Sequence, residues 1–159
     1  MASGGSLTIR ANTFTKNKTG IEASNIFAST TPTIMITDNL FEDNTEPIVF
    51  SGGFVSFSGN RAVDTDTNGI IVRGSLLRGM TLAPDLPYVF INDTGKHILA
   101  GDTLTILPGA VAKFADDALL VVAGTLNAQG TAENSVVFTS LHDDDCGMVG
   151  GCGDTDNSA

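Results

Sequence analysis

Leu7-Thr-Ile-Arg-Ala-Asn12-Thr-Phe14-Thr-Lys-Asn17 is written again as Ile34-Met-Ile36-Thr-Asp-Asn39-Leu-Phe41-Glu-Asp-Asn44. A third copy reads Val55-Ser-Phe57-Ser-Gly-Asn60-Arg-Ala62-Val-Asp-Thr65. From Ile9, Ile36 and Phe57 the next apolar residue stands five positions on, at Phe14, Phe41 and Ala62. A third apolar group follows twelve, twelve and thirteen positions on, at Ile21, Ile48 and Ile70. A repeat of this length means stacked units in which each coil buries its apolar side against the next.

Each copy is written in strands. Leu7 and Ile9 flank Thr8, Ile34 and Ile36 flank Met35, and Val55 and Phe57 flank Ser56. That period of two describes a half-buried strand. The Asn-x-Phe/Ala element supplies a second short strand, and Ile21-Glu-Ala23, Ile48-Val-Phe50 and Ile70-Ile-Val72 a third. Thr19-Gly20, Glu46-Pro47 and Asn68-Gly69 are the turn signals expected just before that third strand. Three short strands per coil, each paired with its counterpart in the next, make an all-β parallel β-helix, expected to have about six or seven coils. Asn12, Asn39 and Asn60 fall at equivalent bends, as do Asn17, Asn44 and the departing Thr65. Stacked asparagines can bond along the axis at the strand spacing of about 4.8 Å.

The second half follows related rules. Leu104-Thr-Ile106-Leu-Pro-Gly109, Leu119-Leu-Val-Val122-Ala-Gly124 and Ser135-Val-Val137-Phe-Thr-Ser140 read as strands ending near turns. Gly101, Gly109, Gly124 and Gly130 mark positions needing positive φ or a tight corner. The organisation expected is a start segment (1–6), Asn-x-Phe coils (7–74), a junction (75–86), further coils (87–142) and an acidic glycine-rich tail (143–159).

Composition narrows the partners. A net charge of −10 with eight Lys plus Arg excludes a phosphate backbone as partner. No apolar run approaches the roughly 20 residues of a membrane helix, so membrane insertion is not expected. The start Met1-Ala-Ser-Gly-Gly-Ser6 carries no signal-peptide core. Cys146 and Cys152 are too few for zinc; adding His142 gives only a weak His-x3-Cys-x5-Cys pattern. They read as a local disulfide across a glycine-rich loop, which fits an extracytoplasmic protein, with two free thiols in a loose tail as the alternative.

Residues 86–145 carry a more specific pattern: Leu86-Pro-Tyr88, Gly101-Asp-Thr-Leu-Thr-Ile106-Leu-Pro-Gly109-Ala-Val-Ala-Lys113-Phe114, and Gly124-Thr-Leu-Asn-Ala-Gln-Gly130-Thr-Ala-Glu-Asn134-Ser-Val-Val-Phe138-Thr-Ser140. This resembles the bacterial right-handed parallel β-helix repeat proteins of the pectin-lyase-like class. The resemblance implies a right-handed coil and a secreted or cell-surface location. The chain departs from that pattern where Asp143 begins an acidic segment in place of further coils, and it is expected to be a segment of a longer solenoid. Open solenoid ends expose unpaired backbone, so self-association by end-to-end stacking or coil exchange is expected.

Two acidic groups suggest calcium. Asp64-Thr-Asp66-Thr-Asn68-Gly69 has the alternating spacing that opens a calcium loop, but the bidentate position twelve is Ser75, which rejects an EF-hand. Asp143-Asp144-Asp145 and Asp154-Thr-Asp156-Asn157 form a second cluster that loop closure at Cys146 and Cys152 would gather, with Asp143, Asp145, Asp154 and Asp156 as the candidate ligands, although composition alone favours a solvated tail there. Paired acids also invite polysaccharide cleavage, with Asp38, Asp43, Asp64 and Asp66 near neighbouring bends and Arg61 and Arg73 as bases. None matches a catalytic motif of the resembled class, and no catalytic residue is assigned. The expected function is a non-enzymatic structural or adhesive segment, with Thr8, Glu22, Met35, Val49 and Ser56 facing outward. The alternative is a calcium-assisted module that binds or cleaves a polysaccharide.

Overall fold

Strand alternation and repeat spacing lead directly to the backbone. The structure, a computed structural model, describes residues 6–24, 34–52, 55–74, 77, 79–93, 95–147 and 152–156. The first turn holds β1 (Leu7–Arg10), β2 (Thr13–Thr15) and β3 (Thr19–Ser24). The second holds β4 (Ile34–Thr37), β5 (Leu40–Glu42) and β6 (Glu46–Ser51), and the third β7 (Val55–Ser58), β8 (Arg61–Val63) and β9 (Ile70–Val72). Then come β10 (Met80–Leu82), β11 (Tyr88–Phe90) and β12 (Lys96–Ile98), followed by β13 (Thr103–Ile106), β14 (Val111–Phe114) and β15 (Leu120–Val122). A further turn begins with β16 (Thr125–Ala128) and β17 (Val137–Ser140).

The pairings are parallel and no described residue is helical, which makes a parallel β-solenoid of about five turns. The expected six or seven was too many. Two strands also begin earlier than the turn signals implied: Thr19 opens β3 and Glu46 opens β6.

The register is the one the repeats dictate. Leu7, Ile34 and Val55 align, as do Ile9, Ile36 and Phe57. Phe14, Phe41 and Ala62 align on the next face, and Ile21, Ile48 and Ile70 on the third. A one-residue slip would turn each apolar set outward, so burial itself fixes the pairing. Ile36, Phe41, Ile48, Ile70, Tyr88 and Leu104 are wholly buried along the axis. Phe14 stacks on Phe41 at 5.1 Å and Phe90 on Phe114 at 4.8 Å, the one-coil offset repeated at both ends of the core.

One sheet runs the length of the molecule in the order β3-β6-β9-β11-β14-β17. A second face is built from β1-β4-β7 and β10-β13-β16, with β7 touching β10. The third changes partway: β2-β5-β8 follow the second face in the first three turns, whereas β12 and β15 come after the long sheet.

The asparagines explain both the stacking and the change. Asn39 Oδ1 accepts the Asn12 N–H at 3.0 Å and its side-chain amide at 3.3 Å, while Asn39 Nδ2 donates to the Ile9 carbonyl and to Asn60 Oδ1. Asn17 and Asn44 repeat the arrangement at the second corner, where Asn44 Nδ2 also donates to the Phe14 and Glu42 carbonyls. The residue before each ladder position is left-handed: Ala11, Lys16, Asp38, Asp43 and Asp64 have φ of 52–58°, and Gly59 67°. Asp, Asn and Gly adopt this region at least cost, which accounts for Asp38-Asn39, Asp43-Asn44 and Gly59-Asn60. At Gly59 a side chain would also meet Asp38 Oδ1 at 2.6 Å.

The first ladder ends on a carboxylate. Asp85 accepts the Asn60 N–H at 2.9 Å and the Asn60 amide at 2.6 Å. Beyond it, among the described residues, no strand follows β8 on that face. Desolvation pushes the Asp85 carboxyl above the usual carboxylate range, with Asp38 adding to the rise and the bonds from Asn60 and Leu86 opposing it.

Asn39→Ala is expected to cost about 3 kcal/mol in urea unfolding, since it strands buried partners on both sides. Asn12→Ala, at the exposed end of the ladder, should cost less than about 1 kcal/mol; equal losses would count against a ladder. Folded Asp85 holds its proton more tightly than in the unfolded chain. Its contribution is therefore fully present below the ordinary carboxylate pKa and falls as pH rises from there through the raised value. Asp85→Asn keeps an acceptor and removes the charge, so the wild type should lose stability relative to this variant across that window; parallel urea midpoints against pH check it.

Candidate functional site

The outer row of the long sheet decides where chemistry can sit. By register it runs Glu22, Val49, Ile71, Val89, Lys113, Thr139. Glu22 is exposed, but Val49, Ile71, Val89 and Lys113 are buried. The expectation that Val49 faces solvent is corrected: it does point away from the core cluster, but this outer row is covered. Thr8, Met35 and Ser56 are exposed, as expected.

Part of the cover is the C-terminal segment, which folds back instead of remaining a solvated tail. Lys113 has no accessible surface, and its ammonium donates to Asp144 Oδ1 at 3.0 Å and to the Gly153 carbonyl. Thr155 is equally buried and donates to the Leu141 carbonyl at 2.9 Å. A side chain at Gly69, beside β9, would lie 3.7 Å from the Thr155 methyl, so the segment reaches back over the third turn. Cys146 is joined to Cys152, with Cα atoms 5.7 Å apart, and the Cys152 N–H donates to the Asp144 carbonyl at 2.7 Å. The result is a disulfide-closed clasp, pinned by one buried cation.

The clasp gathers acids. Carboxylate oxygens of Asp144, Asp154 and Asp156 lie within 4.8 Å of one another, the one such trio among the described residues. Asp154 Oδ1 is buried with no hydrogen-bond partner. Asp156 is bonded to His142 Nδ1, and this bond pushes the imidazole above its ordinary range. Asp143 turns elsewhere: it accepts from the Thr139 hydroxyl and the Cys146 N–H, and the Thr139 bond holds its carboxyl below the usual range. Asp145 is exposed and outside the trio. Of the second acidic cluster, then, Asp154 and Asp156 come together and Asp143 and Asp145 do not; Asp144 joins them.

The other acids serve the bends. Asp64 is a left-handed bend residue, Asp66 donates its N–H to the Asn44 carbonyl, and Asn68 Oδ1 accepts from the Thr65 hydroxyl. Asp38 pairs with Arg10 at 3.0 Å, and Arg73 pairs with Glu46. Sequence reasoning did not single out Lys113 or Asp85. The signal for Lys113 was a lone cation in the strand Val111-Ala-Lys-Phe114. Compared with family models, curated proteins and solved structures, the chain matches none.

Asp144→Asn leaves a buried ammonium with a weaker partner and is expected to cost about 2–3 kcal/mol, whereas Lys113→Met removes charge and donor together and should cost less. Chemical denaturation of both variants checks the order; the reverse order would show that the clasp is held by packing instead of the ion pair.

Proposed function

We propose that this chain is a non-enzymatic structural or adhesive segment of a bacterial secreted or cell-surface protein of the pectin-lyase-like class. The observation that supports it is how the solenoid uses its polar groups. Of the acids an acid–base enzyme would need near neighbouring bends, Asp38, Asp43 and Asp64 are left-handed residues that turn the chain, and Asp66 bonds through its N–H to the Asn44 carbonyl. The Arg73 guanidinium is engaged with Glu46. The interaction surface is the outer row of the second face, where Thr8, Met35 and Ser56, and further along Thr81 and Asn127, are exposed on parallel strands. Partners on such a face are other extended polymers or further coils of the same kind, by end stacking or coil exchange.

A second reading is favoured by one specific feature, the convergence of Asp144, Asp154 and Asp156 around a buried, unpaired Asp154 oxygen. Three carboxylates suit a hard cation such as calcium, and a cation there would make the clasp part of a polysaccharide-binding module. The ammonium of Lys113 already engages Asp144 and competes with a cation, which ranks this reading second.

Binding to a polysaccharide panel with and without millimolar calcium, with product release read in the same wells, separates the readings. A folded chain that neither binds nor cleaves, and whose melting temperature ignores calcium, is the expected outcome for a scaffold. Calcium-dependent retention together with a raised melting temperature would replace it with the glycan-binding reading, and released product would make the chain an enzyme.

A further inference from the structure

The first and last turns among the described residues are unlike each other, and they match. In the first, β1, β2 and β3 each have a single neighbour among the described strands. Beside them Leu7, Ile9, Ile21, Ile34 and Ile36, together with the carboxylate of Glu22, line a mostly apolar recess of about 240 Å³, and Leu7 is half exposed. At the other end β15, β16 and β17 are the edges. There Leu119, Val121, Val122 and Phe138 are exposed, Phe138 being the last ring of the column Phe90–Phe114–Phe138.

Charge and hydrogen bonding carry the same polarity. Residues 7–24 hold Arg10, Lys16 and Lys18 against a single carboxylate, Glu22. The last turn, residues 115–140, holds three carboxylates, Asp116, Asp117 and Glu133, and no Lys or Arg. In both ladders each asparagine oxygen accepts from the preceding coil, as Asn39 does from Asn12 and Asn44 does from Asn17. Asn12 and Asn17 are the first rungs, and their own oxygens accept nothing among the described residues. The first end is therefore cationic, apolar and short of donors; the last is anionic, apolar and edged by unpaired strands.

We infer that a second copy of this chain docks head to tail, its last coil on the first coil of its neighbour. β16 would pair in parallel with β1 and β17 with β3, extending two faces that both ends share. The third face differs between the ends, with β2 at one and β15 at the other, and does not continue. A contact joining unlike patches is heterologous, so it repeats into a filament instead of closing as a dimer. The inference rests on the scaffold reading above but fails separately from it. A glycan-binding chain that still assembles would overturn only that reading, and a glycan-blank chain that stays monomeric would overturn only this inference.

Sedimentation velocity on the 159-residue chain tests it. The wild type should give a concentration-dependent series of species. Their association should weaken about tenfold as salt is raised from roughly 0.1 to 1 M, where the screening length falls from about 10 to about 3 Å. Leu7→Glu and Phe138→Glu alter exposed end residues and should each give monomers with unchanged circular dichroism. Mixed in equal amounts, they should form a one-to-one dimer and nothing larger, because each retains the end the other lacks. A wild type that stays monomeric to roughly 0.1 mM, association strengthened by salt, or variants of which only one is monomeric would overturn the inference.

Discussion

Everything in this fold depends on where a bend places its polar atoms. A coil that turns sharply beside an apolar core exposes amide groups that water cannot reach, and each left unpaired would cost more than a typical bond returns. Here the asparagine side chain solves this by bonding to the coils on either side. Its oxygen takes two donors from the coil before, and its amide serves that coil's carbonyls and, on the first ladder, the next asparagine. To present the side chain along the axis, the preceding residue must be left-handed, and the chain places aspartate or glycine there in the second and third turns.

The same requirement explains why the architecture changes midway. A carboxylate can accept from the preceding rung but cannot donate to another, so Asp85 receives Asn60 and ends the column. Thereafter the chain passes from the second face to the long sheet without an intervening strand and gains β12 and β15 on the other side. The glycines of the second half serve these altered corners in two ways. Gly101 and Gly109 have positive φ, whereas a side chain at Gly124 would meet the Leu99 carbonyl at 2.1 Å.

The long sheet is continuous through this change, and its outer row becomes buried along its middle. A lysine on that row is tolerated because the C-terminal segment returns to meet it with a carboxylate and a carbonyl. The disulfide closes that segment on itself over a separation of 6 residues, so it shapes the clasp, while Lys113 and Thr155 attach it to the solenoid. With this side covered, exposed outward residues remain on the face of β1, β4 and β7 and on that of β2, β5 and β8.

The repeat determined the fold class, the register and the inward apolar positions, because burial along a solenoid is local in period: Ile9, Phe14 and Ile21 each recur one coil later and must stack. It also carried the bend chemistry, legible in Asp38-Asn39, Asp43-Asn44 and Gly59-Asn60. What only the tertiary structure decided is which outward residues meet water and which acids meet one another. Val49 alternates like a surface residue and is buried. Asp144 joins Asp154 and Asp156 while Asp143 and Asp145 turn away. The reason is physical: periodicity reports contacts one coil apart, whereas a segment folding back across several coils makes contacts at separations that no repeat encodes.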